Sequence, residues 1–210
     1  MARMAREEAA DLRDGAAPGR RESILTAALG LFLERGYAAT SIADVRAASG
    51  ASTGSIYHFF TGKGGIAHAL LTEAVAGWSA VGNAPPDASA EVAIKTSVTG
   101  LVRWAAANPG QFRLMDELRS LALHDPDLAE VGTALAAGQG AAGAAYRRYV
   151  AAGHVKPLAW PVAHAVMLGP AYAWLRLPAE SRKPGARHAA ELLADAAWAA
   201  VRMPGRRSAR

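Results

Sequence analysis

The sequence contains no cysteine among its 210 residues. This absence excludes a disulfide framework, a thiolate zinc site and a thiol nucleophile. The chain also lacks an apolar run of the roughly 18 residues needed to span a bilayer. Its charged N-terminal stretch, residues 1–19, lacks the apolar segment of a secretory signal. We therefore expect a cytoplasmic protein in which residues 1–19 form a disordered arm.

The composition is typical of a folded globular protein. Hydrophobic residues make up 51% of the chain and charged residues 20%. The length suits one large domain, or a small domain joined to a larger one. The net charge is +5, but residues 1–80 are neutral overall and the excess lies largely at the C-terminus, which includes a basic tail at residues 203–210. Charge alone therefore does not indicate nucleic-acid binding.

Apolar residues recur at helical spacing along the chain, and no long stretch alternates with the period of a strand. The fold class is therefore predicted to be all-α. A first helix begins near Arg21 and ends at Gly36, which suits a left-handed cap. A second, short helix follows Ser41, which forms a capping box with Asp44, and it ends at Gly50.

A third helix, also short, follows Ser52 as its N-cap, and a longer helix begins near Lys63. Pro85 and Pro86 then interrupt the helical pattern. Beyond them the sequence predicts five more helices, at residues 87–107, 111–123, 126–151, 161–177 and 185–202. We expect a three-helix domain at residues 20–65 and a larger helical bundle at residues 66–202.

Two short helices joined by a turn of about three residues around Gly50 are the pattern of a helix-turn-helix. In the second of them, Ile56 and Phe59 are predicted to pack back onto the first helix. Glycine inside a helix costs about 1 kcal/mol relative to Ala. A role for Gly54 that would offset this cost is to keep the backbone close to a bound molecule. The polar residues expected on the free face are Ser52, Thr53, Ser55 and His58.

The stretch Ile24 to Lys63, ILTAALGLFLERGYAATSIADVRAASGASTGSIYHFFTGK, resembles without a gap the N-terminal DNA-binding domain of the TetR/AcrR (tetracycline-repressor) family of bacterial transcriptional regulators. The elements ALGLFLERGYAATSI, ASGAS and GSIYHFF occur in the family's order and are followed by a lysine. The rest of the chain resembles the family only as a helical bundle of the expected length. The resemblance implies a helix-turn-helix DNA-binding domain followed by a ligand-binding and dimerisation domain.

The resemblance also implies which residues meet double-stranded DNA. The recognition helix would place its first residues at base edges or phosphates, and Lys63 would hold a phosphate from the start of the next helix. For a single Ser or Thr the alternative is a simple helix cap, and for Tyr57 it is a ring in the core. The implied DNA-binding residues are Thr40, Ser41, Ser52, Thr53, Gly54, Ser55, Tyr57, His58 and Lys63.

Two features depart from the family's pattern. Phe59 stands where the family commonly has His or Tyr, and Gly64 and Gly65 stand where an acidic residue usually follows the lysine. The recognition helix also has no Arg or Lys, the side chains that form paired hydrogen bonds with guanine. Base reading would therefore depend on hydroxyls, thymine-methyl contacts, DNA shape and the N-terminal arm.

The second domain is larger than DNA binding requires, and the resemblance implies that it senses a small effector. The domain offers few charges for burial, which favours a mostly apolar or aromatic molecule, and Arg103, Arg113 and Arg119 leave a carboxylate as an alternative. Binding would shift the protein towards a form that releases a palindromic operator, with a repressor favoured by the family. The last two helices are the predicted homodimer interface. Aromatic and Met side chains are candidate pocket walls, with core packing as the alternative for each: Trp104, Phe112, Met115, Tyr146, Tyr149, Met167, Tyr172 and Trp174.

Enzymatic patterns fail on this sequence. A phosphate-binding P-loop needs a glycine five positions before Gly62 and a Ser or Thr after Lys63, but those positions hold Tyr57 and Gly64. The chain has neither a His-Glu-x-x-His zinc motif nor a nucleophile elbow. We expect no enzyme, no metal site and no cofactor. The remaining alternatives are a constitutive architectural DNA-binding protein without an effector, and an interaction module with a vestigial helix-turn-helix.

Overall fold

The computed structural model describes residues 18–183 and 185–204. Across these ranges the chain forms α-helices and two short 3-10 turns, and it has no β-strand, which confirms the all-α prediction. The arm predicted at residues 1–19 and the basic tail predicted at residues 203–210 lie almost entirely outside the described ranges. The helices are α1 (Pro18–Arg35), α2 (Ile42–Ser49), α3 (Thr53–Phe59), α4 (Lys63–Gly82), α5 (Ala90–Ala107), α6 (Pro109–Leu121), α7 (Ala129–Ala151), α8 (Trp160–Leu175) and α9 (Ala186–Val201).

The end of α1, both ends of α2 and the start of α3 are those that local sequence signals predict, whereas α1 begins at Pro18 and not near Arg21. Gly36 and Gly50 have φ angles of 85° and 65°, so both adopt the left-handed conformation that suits a C-terminal cap. Ser41 and Asp44 form a reciprocal capping box at the start of α2. The Ser52 side chain accepts a hydrogen bond from the backbone N–H of Ser55 at the start of α3.

Later boundaries differ from the predictions where capping was not recognised. Helix α5 begins at Ala90 rather than at residue 87, because Ser89 caps it by accepting from the Val92 N–H. Helix α6 begins at Pro109, so the predicted Asn-Pro-Gly break is reduced to Asn108. The segment predicted as one helix from residue 126 is divided into a 3-10 turn, Pro126–Leu128, and α7.

The chain packs as two compact units. Among the described residues, unit 1 contains residues 18–74 and 110–135, and unit 2 contains residues 75–109, 136–183 and 185–204. The helix-turn-helix thus shares its unit with α6 and the start of α7, which are distant in the chain. The predicted functional boundary near residue 65 stays a prediction. No helix in the described part of the chain is both long and apolar enough to cross a membrane.

The core of unit 1 forms around one face of α1, against which α2 and α3 pack. Ile24 and Phe32 of α1, Val45 of α2 and Ile56 of α3 are almost completely buried. Each such side chain stabilises the fold by about 1.5–3 kcal/mol relative to an exposed one. The burial of Ile56 confirms its predicted inward position.

Unit 2 is a helical bundle in which α5, α8 and α9 pack against one another. Lys95 of α5 joins two of these helices, since its ammonium lies 2.6 Å from a Glu91 carboxylate oxygen and 2.9 Å from an Asp195 oxygen on α9. Helix α5 also approaches α4 closely at Gly100. A Cβ at this position would collide with the backbone of Gly82.

Gly64, one of the two departures from the family's pattern, lies at a close backbone approach in unit 1. A Cβ at this position would lie well inside the van der Waals contact distance of the Asp127 carbonyl oxygen, in the 3-10 turn before α7. The obstacle is backbone, so a side-chain rotation does not relieve it. The first turn of α4 therefore has a glycine because another segment occupies the space of a side chain.

We predict that Gly64→Ala lowers the free energy of unfolding by about 1–3 kcal/mol, the usual cost of overpacking. Urea denaturation measures this difference. The control is Gly30→Ala on α1, where nothing lies within 4 Å of the added Cβ. This control is expected to gain up to about 1 kcal/mol from the better helix propensity of Ala. A Gly64→Ala protein as stable as the parent would contradict the close approach.

Candidate nucleic-acid interface

The turn between α2 and α3 is held against α1. Gly50 ends α2, and its N–H donates to the Arg46 carbonyl oxygen at 3.1 Å. Ala51 is 5% exposed and fills the inside of the turn. The Ser23 hydroxyl of α1 donates to the Ser49 carbonyl oxygen at 3.4 Å. The position of α3 is therefore set by the α1 surface beneath it.

Helix α3 has one buried face and one exposed face. Ile56 and Phe60 are buried, and Phe59 is half-buried with its ring 4.9 Å from the His58 ring, centroid to centroid. Tyr57 is 57% exposed, so the alternative that it is a core ring is wrong. The exposed residues of α3 and its cap are Ser52, Thr53, Gly54, Tyr57 and His58.

Two of the hydroxyl residues predicted to contact DNA lie inside unit 1. Ser55 is 7% exposed and Thr40 is 2% exposed. Ser55 therefore does not share the free face of α3, because the third residue of the helix turns towards the face that carries Ile56. The Thr40 hydroxyl donates to the Gly36 carbonyl oxygen at 2.9 Å, which satisfies a backbone group just after α1.

Ser41 is exposed, but its hydroxyl is already hydrogen-bonded. It donates to a carboxylate oxygen of Asp44 at 2.6 Å, and its backbone N–H donates to the same oxygen at 2.8 Å. These two bonds to Ser41, the side-chain bond first, lower the pKa of the Asp44 carboxyl from its ordinary value. Arg35 lies 3.8 Å from the other Asp44 oxygen. The start of α2 thus presents a carboxylate as well as a hydroxyl.

Lys63 is directed towards the protein. Its ammonium donates to the carbonyl oxygens of Tyr37 at 3.1 Å and Ala38 at 3.5 Å. The same nitrogen lies 4.3 Å from the centroid of the Tyr37 ring, a cation–π distance. An ammonium has three N–H donors, and two are directed at these carbonyls. Lys63 therefore joins the start of α4 to the segment that follows α1.

Tyr37 is the centre of this junction. Its N–H donates to a Glu117 carboxylate oxygen of α6 at 3.0 Å. Its hydroxyl is buried without a hydrogen-bond partner among the described residues. Burial first, and then the negative charges of Asp125 and Asp127, raise the pKa of Tyr37 to about 12. The phenol is therefore neutral at pH 7 and acts as a packed ring.

Two residues of α6 that the sequence did not identify for this role hold the end of α1. Arg113 donates to the Leu33 carbonyl oxygen at 3.0 Å, and Glu117 accepts from Tyr37. A basic and an acidic residue at i and i+4 on one helix is a visible signal. It usually indicates a pair within the helix, however, so the pattern does not identify remote backbone groups as the partners.

The eight candidate pocket residues are divided between the units. Phe112 and Met115 belong to unit 1, and the other six belong to unit 2. Met115 lines a cavity of about 40 Å³ between α1, α4 and α6, far below the roughly 300–1,000 Å³ of a ligand pocket. Within unit 2, Tyr146 is buried and its hydroxyl donates to the Lys156 carbonyl oxygen at 2.8 Å. The role of the eight residues as an effector pocket stays a prediction.

The segment that contains the helix-turn-helix matches a known protein family. Residues 24–70 match the sequence pattern of the family described as bacterial regulatory proteins, tetR family. This range contains most of α1, all of α2 and α3, and the start of α4. A search of curated proteins finds no significant sequence match.

Solved structures share the fold over most of the chain. A TetR family transcription regulator from Marinobacter aquaeolei is 20% identical with a TM-score of 0.70, covering 88% of this chain and 96% of its own. The TetR family regulator PfmR from Thermus thermophilus is 25% identical with a TM-score of 0.63, covering 84% and 97%. The ketosteroid transcriptional regulator KstR2 of Mycobacterium tuberculosis is 16% identical with a TM-score of 0.62, covering 90% and 98%.

The regulators of this family bind DNA and are not enzymes, which agrees with the failure of the enzymatic patterns in the sequence. The helix-turn-helix of unit 1 lies within the matched range, and the all-α architecture extends over the rest of the chain. Residues 24–70 carry the sequence pattern of the tetR family of bacterial regulatory proteins, and the described chain has the fold of a TetR-family transcription regulator.

Proposed function

We propose that this protein is a repressor that binds a palindromic DNA operator as a homodimer, through α3, and is released by a small, mostly apolar effector. It would act on DNA in the bacterial cytoplasm. Paired recognition helices suit two half-sites about one helical turn, roughly 34–36 Å, apart. The observation that carries the proposal is an exposed glycine on α3 that the protein's own fold does not require.

That glycine is Gly54. Its φ angle is not in the left-handed region, and the nearest atom to an added Cβ is the Ser52 hydroxyl oxygen at 3.8 Å. Neither backbone conformation nor internal packing therefore excludes Ala. Glycine inside a helix costs about 0.5–1 kcal/mol relative to Ala. Close approach of an external surface, such as a groove of DNA, accounts for a glycine at this position.

The other proposed DNA contacts follow from exposure. Thr53, Tyr57 and His58 share the free face with Gly54 and would meet bases or phosphates. Ser52 and Ser41 would combine contact with capping. For the three remaining candidates we propose an indirect contribution, in which internal hydrogen bonding or packing positions the binding surface: Thr40, Ser55 and Lys63.

We predict that Gly54→Ala separates stability from DNA binding. The free energy of unfolding should rise by about 0.5–1 kcal/mol, because the helix improves and nothing inside the protein collides. Affinity for an operator obtained by in vitro selection from random duplexes should fall at least tenfold, about 1.4 kcal/mol, because the methyl group obstructs the close approach. Urea denaturation and fluorescence anisotropy measure the two quantities.

The matched control is Gly30→Ala, an exposed helical glycine of the same unit with nothing within 4 Å. It should gain similar stability and retain full operator affinity. Unchanged operator binding by Gly54→Ala would contradict close approach at α3. Failure of the selection to enrich any sequence would overturn the operator proposal and favour an architectural DNA-binding protein.

The proposed dimer interface is the outer face of α8 and α9. Val162 and Val166 of α8 and Leu192 of α9 are 50%, 36% and 53% exposed. Ala165 and Ala196 extend this apolar surface on the two helices. Exposed aliphatic side chains on two adjacent packed helices suit a four-helix interface with a second copy. Leu168 of α8, which the sequence pattern also assigned to the interface, is buried within unit 2 and belongs to its core.

We predict that Val162→Glu converts a dimer to a monomer and abolishes high-affinity operator binding, because a charge would be buried between the two copies. Sedimentation equilibrium and anisotropy test this prediction. Val92→Glu is the control, since Val92 is similarly exposed, at 48%, but belongs to α5 and not to α8 or α9. A Val162→Glu protein that remains dimeric would place the interface elsewhere.

The proposed effector would bind in unit 2, which has few buried charges and several buried aromatic rings. Trp104, Tyr146 and Tyr172 are buried apolar surfaces of this unit. The indole N–H groups of Trp78 and Trp174 are buried without a hydrogen-bond partner in the described ranges. Such donors suit an apolar molecule that has one or two acceptor atoms.

Compounds that raise the melting temperature of the protein should also displace it from a labelled operator, because a ligand that favours the non-binding form opposes DNA. A titration of the protein–operator complex followed by anisotropy measures this effect. A compound that binds unit 2 but leaves operator affinity unchanged would contradict release by an effector.

A further inference from the structure

We propose that α3 selects its operator through the C5-methyl groups of thymine, with Thr53 and Tyr57 as the reading side chains. The proposal rests on operator binding through α3 as proposed above, and it specifies the base that the helix recognises. It follows from which side chains α3 exposes, what those side chains are already bonded to, and which groups the major groove displays.

The exposed face of α3 lacks the side chains that form paired hydrogen bonds with bases. Arg and Lys read guanine, Asn and Gln read adenine, and Asp and Glu accept from cytosine. None of these residue types occurs between Ser52 and Phe60. Helix α3 therefore cannot recognise a base through paired hydrogen bonds.

The exposed Thr53 and Tyr57 hydroxyls can each form single hydrogen bonds with a base, as a hydroxyl both donates and accepts, but they do not form a paired contact that selects one base. The Ser52 side-chain oxygen accepts from the Ser55 N–H at 3.0 Å as the helix cap, and Ser55 itself is buried. His58 is exposed and supplies single ring contacts. A single donor meets acceptors on guanine, adenine and thymine alike, so it does not select one base.

The remaining exposed groups are apolar in part and lie together. Thr53 and Tyr57 are four residues apart on one helix, so they are neighbours on the same stripe. The Thr53 methyl group and the Tyr57 ring, which belongs to a side chain 57% exposed, form an apolar surface next to Gly54. Gly54 has no side chain to hold that surface away from the groove.

Thymine is the one base of unmodified DNA that displays a methyl group in the major groove. An apolar surface that approaches the groove closely therefore gains most from thymine, since the contact removes methyl surface from water. The geometry points to a half-site with at least one thymine under the Thr53–Tyr57 stripe.

The experiment replaces thymine by uracil, one position at a time, in the operator recovered by in vitro selection. Uracil keeps the hydrogen-bonding groups and removes only the methyl. At the contacted thymine, affinity should fall about fourfold per methyl group, the equivalent of burying one carbon group. Positions outside the contact should show no change.

A double-mutant cycle, which combines a change at Thr53 with the uracil substitution in the DNA, tests the contribution of Thr53 to the loss of affinity. Thr53→Ser removes the side-chain methyl and keeps the hydroxyl, so the loss on uracil substitution at the contacted position should be smaller in this variant, and the loss that remains is due to the Tyr57 ring. The matched control, Thr133→Ser on the exposed surface of α7, should retain the full fourfold loss.

The outcomes separate the two proposals. If selection recovers an operator that is insensitive to uracil at every position, thymine reading is overturned while operator binding stands. The same conclusion follows if only 7-deazaguanine, which lacks the N7 acceptor, weakens binding. If Thr53→Ser shows the full uracil effect, Thr53 is not a reader. If selection recovers no operator, the proposed function fails, and this inference fails with it.

Discussion

The C-terminal end of α1 is the point on which the DNA-binding unit depends. A helix end leaves carbonyl groups without partners, and here a distant helix supplies one, since Arg113 donates to the Leu33 carbonyl oxygen. Just beyond α1, Lys63 donates to the Tyr37 carbonyl oxygen. Glu117 accepts the Tyr37 N–H just after the left-handed turn at Gly36. Since α2 and α3 pack on α1, these contacts also set the platform of the recognition helix.

At four positions of this unit, glycine occurs for three different physical reasons. Gly36 and Gly50 adopt positive φ angles that other residues rarely accept. Gly64 has a normal helical conformation, but the Asp127 backbone occupies the space of a side chain. Gly54 has neither constraint, which is why its position on the exposed face of α3 supports contact with an external partner.

Much of the architecture was predictable from the sequence. Helix positions follow from apolar spacing, and the end of α1, both ends of α2 and the start of α3 follow from glycine and serine caps that act within four residues. The candidate interface was predictable in part. Tyr57, His58 and Thr53 are exposed, as a recognition helix requires, whereas Ser55 is buried. The burial of Ser55 was not predictable, because a helix of seven residues is too short for periodicity to locate the boundary between its two faces.

The sequence by itself therefore determined the helices, the helix-turn-helix and the family resemblance, because these depend on residues close together in the chain. Only the tertiary structure decided that Lys63 bonds to backbone carbonyls of unit 1, that α6 belongs to the unit of the helix-turn-helix, and that Asp127 excludes a side chain at position 64. Those contacts join segments far apart in sequence. Periodicity shows that a face is covered, but it does not identify the segment that covers it.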